Sequence, residues 1–242
     1  LHYLLGDALV KADKEYLAEG RDALRRALSE APDSPLAADA WFWLAIAEGK
    51  LRDHEAERAA YTQALERQWD PELRATILMN RAESSMTARD LVRAMRDYRM
   101  ARAQSRSAVT QSLATWGLAV ATERDGDLPS ALELGRNAAS IQFGPSHHRV
   151  VALDLPDVFF TPAYEQHYYR ALATMGSAVT ERDSSKARAL LQTAELLWSM
   201  YLTPAEKDNE PWLENARRHR AWCQARGVQL DKSKPRSNSD PD

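Results

Sequence analysis

Apolar and polar positions along the chain recur at helical spacing, and the pattern itself repeats every 37 residues. Ala8, Ala45, Ala82 and Ala119 fall at one phase of that repeat, and Ala27, Ala64, Ala101 and Ala138 at another. Leu4, Trp41 and Leu78 share a third phase, broken by Thr115. Leu24, Tyr61 and Tyr98 share a fourth, broken by Gly135. Small residues alternating with large apolar ones describe two antiparallel helices that cross closely, with a bulky side chain beside each crossing. Asp53, Asp90 and Asp127 mark the start of the second helix in successive units. Asp127-Leu128-Pro129 starts such a helix, and Gly126 suits the end of the one before it. Ser34-Pro35 and Asp70-Pro71 open first helices in the same way. The pattern predicts helices over 1–12, 16–30, 35–49, 53–67, 71–87, 90–104, 107–124 and 127–140.

Beyond residue 140 the period breaks. An apolar insertion, 141–161, contains Gly144-Pro145, Val150 to Leu153 and Val158 to Phe160. Helical pattern resumes with Thr161 as cap and Pro162 as first residue. A partner helix carries Ala187, Leu191, Ala194 and Trp198. Thr203 to Glu206 has capping-box spacing, and a last helix is expected over about 211–226. The four units over 1–140 are therefore followed by a fifth helix pair and capping helix over 162–227. The polar tail, 228–242, reads as disordered.

Trp41, Leu44 and Ala45 followed by Tyr61 and Ala64, with Ala94, Tyr98 and Ala101 in the next unit, resemble the tetratricopeptide repeat family. Leu24, Ala27 and Pro32 match in the first unit, Ala131 and Ala138 in the fourth. The period of 37 rather than 34, Glu57 in place of a small residue and Arg81 in place of Leu depart from the family pattern. The resemblance implies an all-α fold: a right-handed superhelical solenoid of about five stacked antiparallel helix pairs plus a C-terminal capping helix. It also implies that first helices line a concave groove that takes a peptide or helix of a protein partner.

On that expectation the partner-facing residues are Leu5, Phe42, Met79 and Trp116, which are 37 apart, with Ile46 and Val120 one helical turn further on. Asn80 and Glu83 interrupt this apolar column with polar groups. Two other readings stand beside the groove: the column packs adjacent units together, or residues 150–160 fold back and fill it. The Lys, Asn and Arg clamp by which some members of the family hold a C-terminal carboxylate is not matched, since only Asn80 fits among Phe42, Ile46, Leu113 and Gly117. Arg89, Arg93 and Arg96 stand at helical spacing and form either a solvated face or a patch for an anionic partner.

Composition changes this picture little. Ala occurs 40 times against nine glycines, which favours helix. The net charge of -3 argues against the positive field of a general nucleic-acid binder. No apolar run is long enough to span a membrane. A single cysteine, Cys223, excludes an internal disulfide. No phosphate loop, zinc-protease pair or nucleophile elbow occurs, so neither a cofactor nor catalysis is expected. His147-His148, the His219/Cys223 pair and the group Glu165, His167, Tyr168 and Tyr169 read as loop or packing residues rather than metal or catalytic sites.

The expectation is a noncatalytic protein-binding scaffold, in a bacterial assembly or signalling complex. Its alternatives are a regulatory or substrate-recruiting part of a larger protein, and a self-stacking oligomer. The missing initiator Met points to a processed or excised chain. Compartment stays open, with the cytoplasm favoured.

Overall fold

Three turns, spaced by 37 residues, set the architecture. Arg52, Arg89 and Gly126 each take a left-handed conformation, with φ of 67°, 59° and 100°. The amide of the following Asp closes each turn by donating five residues back: Asp53 to Glu48, Asp90 to Ser85 and Asp127 to Thr122, at 2.9–3.1 Å. This satisfies carbonyls that the ending helix leaves unpaired. The same three Asp side chains then cap the next helix, accepting from the amides of Ala56, Arg93 and Ser130 at 3.1–3.2 Å. One dipeptide thus ends a helix and starts its partner.

The computed structural model describes residues 1–12, 14–139, 152–155, 158, 160 and 162–232. Among them are eleven α-helices and no strand. Eight precede residue 140: α1 (His2–Lys11), α2 (Leu17–Glu30), α3 (Ala37–Lys50), α4 (His54–Arg67), α5 (Pro71–Thr87), α6 (Leu91–Gln104), α7 (Ala108–Arg124) and α8 (Leu128–Ala139). Every end agrees with the sequence expectation to within two residues. Three follow: α9 (Glu165–Thr180), α10 (Ser184–Asp208) and α11 (Leu213–Lys232). The chain forms two compact units, Leu1–Ala121 and Thr122–Asp242, with the boundary inside α7.

In the first unit each helix from α1 to α5 packs on the next. Short connections reverse the chain, so neighbours run antiparallel. The interior follows the predicted register: Ala45, Ala64, Ala82, Ala101 and Ala119 are fully buried, and Leu78, Tyr61 and Tyr98 are buried beside them. The first pair departs from it. Ala8 is exposed and Ala27 only half-buried, while Leu4 is 64% exposed. The close crossing falls instead on Gly6 and Gly20. A Cβ on Gly6 would lie 2.6 Å from Leu24 Cγ, and one on Gly20 2.9 Å from Val10 Cγ2. Absent side chains let α1 and α2 approach more closely than alanine permits, and this turns Ala8 outward.

In the second unit α8 packs on α9, α9 on α10 and α10 on α11. Gly135 and Gly176 mark the α8–α9 crossing; a Cβ on Gly176 would lie 2.3 Å from the Leu132 carbonyl oxygen. Three expectations fail here. Helix α9 starts at Glu165 rather than at Pro162, and Thr161 lies outside the described residues. The Thr203–Glu206 spacing caps nothing, because α10 runs through Pro204 to Asn209, whose left-handed backbone ends it. Pro204 has no amide to give the Met200 carbonyl four residues back, and the helix nevertheless continues past it. Finally, α11 continues to Lys232, so residues 228–232 are helical rather than tail; residues 233–242 lie outside the described residues.

Candidate functional site

The sequence-predicted column on the first helices divides by burial. Leu5 is 45% exposed. Phe42, Ile46 and Met79 are half-buried, packed on one core cluster together with Trp41 and Trp43. Phe42 sets its ring edge-on to Trp43 at 5.3 Å and lies 6.2 Å from Tyr61. Tyr61 is buried, and burial, then the charge of Glu57, pushes its phenol far above the usual range. Glu83 accepts from the buried Tyr98 hydroxyl.

Trp116 and Val120 do not belong to an open face. Both are buried, as are Ala114, Leu118, Ala119 and Ala121 around the same helix. A helix apolar on all sides is enclosed rather than half-exposed, and α7 is such a helix from Ala114 to Ala121. The Trp116 ring nitrogen finds no hydrogen-bond partner among the described residues.

The basic group is also not one helix face. Arg89 lies in the left-handed turn before Asp90, ahead of α6. Arg93 and Arg96 are on α6 and exposed; Arg93 Nε sits 3.2 Å from Asp90, and Arg96 Nε 3.8 Å from Asp97. Asp97 is fully buried and held by Arg81 through two bonds of 2.7 and 2.9 Å. Arg81 thus serves as the partner of a buried acid.

The most polar interior in the molecule was not anticipated. At the C-terminal end of α7, Glu123 accepts from the Tyr168 hydroxyl, bonds His219 Nε2 at 2.6 Å and accepts from Asn215 Nδ2 at 3.0 Å. Its neighbour Arg124 is nearly inaccessible and pairs with Glu165 at 2.9 Å. The Arg124 guanidinium lies between the rings of Tyr168, 4.8 Å away, and Trp212, 4.9 Å away. Tyr168 also meets Trp198 and Tyr201 edge-on. Burial opposes ionisation of Glu123, yet the hydrogen bond and charge of His219, with the Tyr168 hydroxyl, hold its carboxyl below the usual range. Burial and the charge of Glu123 push the Tyr168 phenol well up.

This cluster joins α7, α9, α10 and α11 around the Glu123 carboxylate. The His219/Cys223 pair is split: His219 faces Glu123, while burial pushes the Cys223 thiol up to about 12, which keeps it protonated and unreactive. His167 is held below its usual range by burial and by Arg170. Among the described residues no three His, Cys, Asp or Glu side chains converge in ligating range, and no helix is long and apolar enough to cross a membrane. His147 and His148 lie outside the described residues. Of the insertion, Asp154 bonds Arg170 and Phe160 meets the Tyr169 ring, both on α9; residues 150, 151, 156, 157 and 159 lie outside the described residues.

A sequence signal for the cluster did exist. Glu123-Arg124 closes the apolar run Gly117–Thr122 with two charges, a place where charge is buried only if paired. The partners sit 41 to 96 residues away, beyond the reach of any periodicity.

Comparison with models of known protein families and with curated protein sequences gives no match.

Proposed function

We propose that the chain is a noncatalytic scaffold of tetratricopeptide type, a right-handed stack of helix pairs whose first helices hold a peptide or helix of a protein partner. The observation that carries this reading is the 37-residue recurrence of one turn, an Asp cap after a left-handed residue, between packed antiparallel helices. Such repetition makes a surface in which corresponding side chains line up. Phe42, Ile46 and Met79, with Asn80 beside them and Leu5 exposed, are the residues of that surface with accessible apolar area. Each side chain that a partner buries fully contributes about 1.5–3 kcal/mol before ordering costs.

A photo-crosslinking residue placed at Phe42 or Met79 tests the reading in the native cell. A discrete adduct formed from both positions, and not from the outward Glu55, supports it. Equal labelling from Glu55 contradicts it.

A second reading, self-stacking, draws on α1. Leu4, Leu5 and Ala8 are exposed, whereas their repeat counterparts Trp41, Phe42 and Ala45, and Leu78, Met79 and Ala82, are half-buried or buried. On this reading a second copy covers the stripe. Light scattering over a concentration series distinguishes the two, since a Leu4→Glu and Leu5→Glu variant then stays monomeric where the parent chain does not.

A further inference from the structure

The repeat provides an internal control for the surface of α6. This helix turns Ala94, Asp97, Tyr98 and Ala101 inward. At 100° per residue, Val92, Arg96, Arg99 and Ala103 form its outward crest, with Arg93 and Met100 on one flank and Arg102 on the other. All seven are exposed; Val92 is 74% and Met100 38% accessible.

The fold does not need these arginines. Thirty-seven residues earlier, α4 carries Ala56, Ala59, Thr62 and Leu65 at the positions of Arg93, Arg96, Arg99 and Arg102. Thirty-seven residues later, α8 carries Ser130, Glu133, Arg136 and Ala139. Conversely, the crest residues Val92 and Ala103 stand where α4 has Glu55 and Glu66. In α6, then, arginine replaces neutral residues and apolar residues replace acids.

The carboxylates near these arginines are already engaged: Arg93 lies 3.2 Å from Asp90 and Arg96 3.8 Å from Asp97. Asp97 is committed to Arg81 in the interior. Asp90 caps the helix and reaches Arg93 alone on this face. Arg99 has a contact of 3.9 Å to the Met95 sulfur, and Arg102 meets no carboxylate among the described residues. Like charges three residues apart on a helix repel, so the stripe opposes the stability of the helix that bears it.

We propose that the outward face of α6 docks an acidic, amphipathic helical segment of another protein. Its carboxylates engage the guanidinium forks of Arg93, Arg96 and Arg99, and its apolar side chains cover Val92 and Met100. A nucleic acid fits less well: this face has no aromatic ring on which a base could stack, and a phosphate backbone gains nothing from the apolar crest. Two apolar side chains are also too few to anchor a membrane surface. The surface is distinct from the first-helix residues, and the inference stands independently of what binds there.

The test uses the full chain and fluorescence anisotropy of a labelled synthetic helix, with leucines along one face and glutamates elsewhere. Parallel arms use the same helix with lysines in place of glutamates, polyuridylate, and phosphatidylserine vesicles. The glutamate helix binds, binding weakens as salt rises, and the other probes do not compete with it. The variant Arg93→Ala, Arg96→Ala, Arg99→Thr, which carries the α4 residues, binds about tenfold more weakly. The single exposed change Arg96→Ala gives the same direction, about threefold, should the triple variant lose helicity. Failure of the glutamate helix to bind overturns the inference. So does equal binding by both variants, or a preference for polyuridylate or vesicles.

Discussion

The two units are held together by different means. In the first, alanines at a fixed phase are buried from α3 to α7, and most polar groups at helix ends are local caps. In the second, one acid and one arginine at the end of α7 gather side chains from α9 and α11 around them. The contrast shows what a repeat can and cannot encode. Packing between neighbours, the buried Arg81–Asp97 pair included, is written within adjacent helices; the Glu123–Arg124 cluster draws on residues 41 to 96 positions away.

The largest effect is expected where the cluster is broken. Glu123→Ala leaves His219, Asn215 and the Tyr168 hydroxyl without their acceptor, and costs about 3–5 kcal/mol in urea unfolding. A loss of the size seen for an exposed glutamate contradicts the cluster's role. Because the folded state holds the Glu123 carboxyl below its usual range, its contribution is complete above the ordinary glutamate range. It disappears as pH falls through the lowered folded value. Acid titration of stability in the parent chain and in Glu123→Gln, which lacks that step, measures it.

Next come two of the glycines at close crossings, one from each unit. Gly176→Ala places a Cβ against the Leu132 backbone oxygen, and Gly117→Ala places one 2.2 Å from the Tyr98 ring. Both cost about 1–3 kcal/mol, with Gly176 at the upper end because a main-chain atom cannot swing aside. Thermal melts of the two variants rank them, and a neutral Gly176→Ala denies the close approach.

The repeated turn gives smaller effects. Asp53→Ala and Asp90→Ala each remove one cap and cost about 1 kcal/mol. The two values should agree, since the caps occupy the same position in successive units; a marked difference breaks the equivalence. Arg52→Gly and Arg89→Gly go the other way. Each relieves a left-handed non-glycine backbone and stabilises by about 0.5–1 kcal/mol, towards what Gly126 already provides in the third turn.

These effects follow how far the sequence could be read. Helix limits through residue 140 were legible because Asp, Pro and alanine punctuation is local. The left-handed turns were half-legible: Gly126 signalled one, while Arg52 and Arg89 at the same phase carry residues that seldom adopt that backbone. The first pair misled because alanine at the right phase counts for nothing where glycines allow a closer crossing. Trp116 and Val120 fitted the column by spacing, but spacing does not reveal that α7 is enclosed on every side. Pro204 looked like a helix start because its neighbours have capping chemistry, and packing of α10 against α9 and α11 overrides it. The Glu123–Arg124 cluster had to come from tertiary structure.

Native-state hydrogen exchange on Glu123→Gln, set against the parent chain, tests the contrast between the units most directly. If the second unit depends on the cluster, amides of α9 and α11 lose protection while those of α3 to α5 keep theirs. Uniform loss across both units, or unchanged protection in α9 and α11, contradicts it.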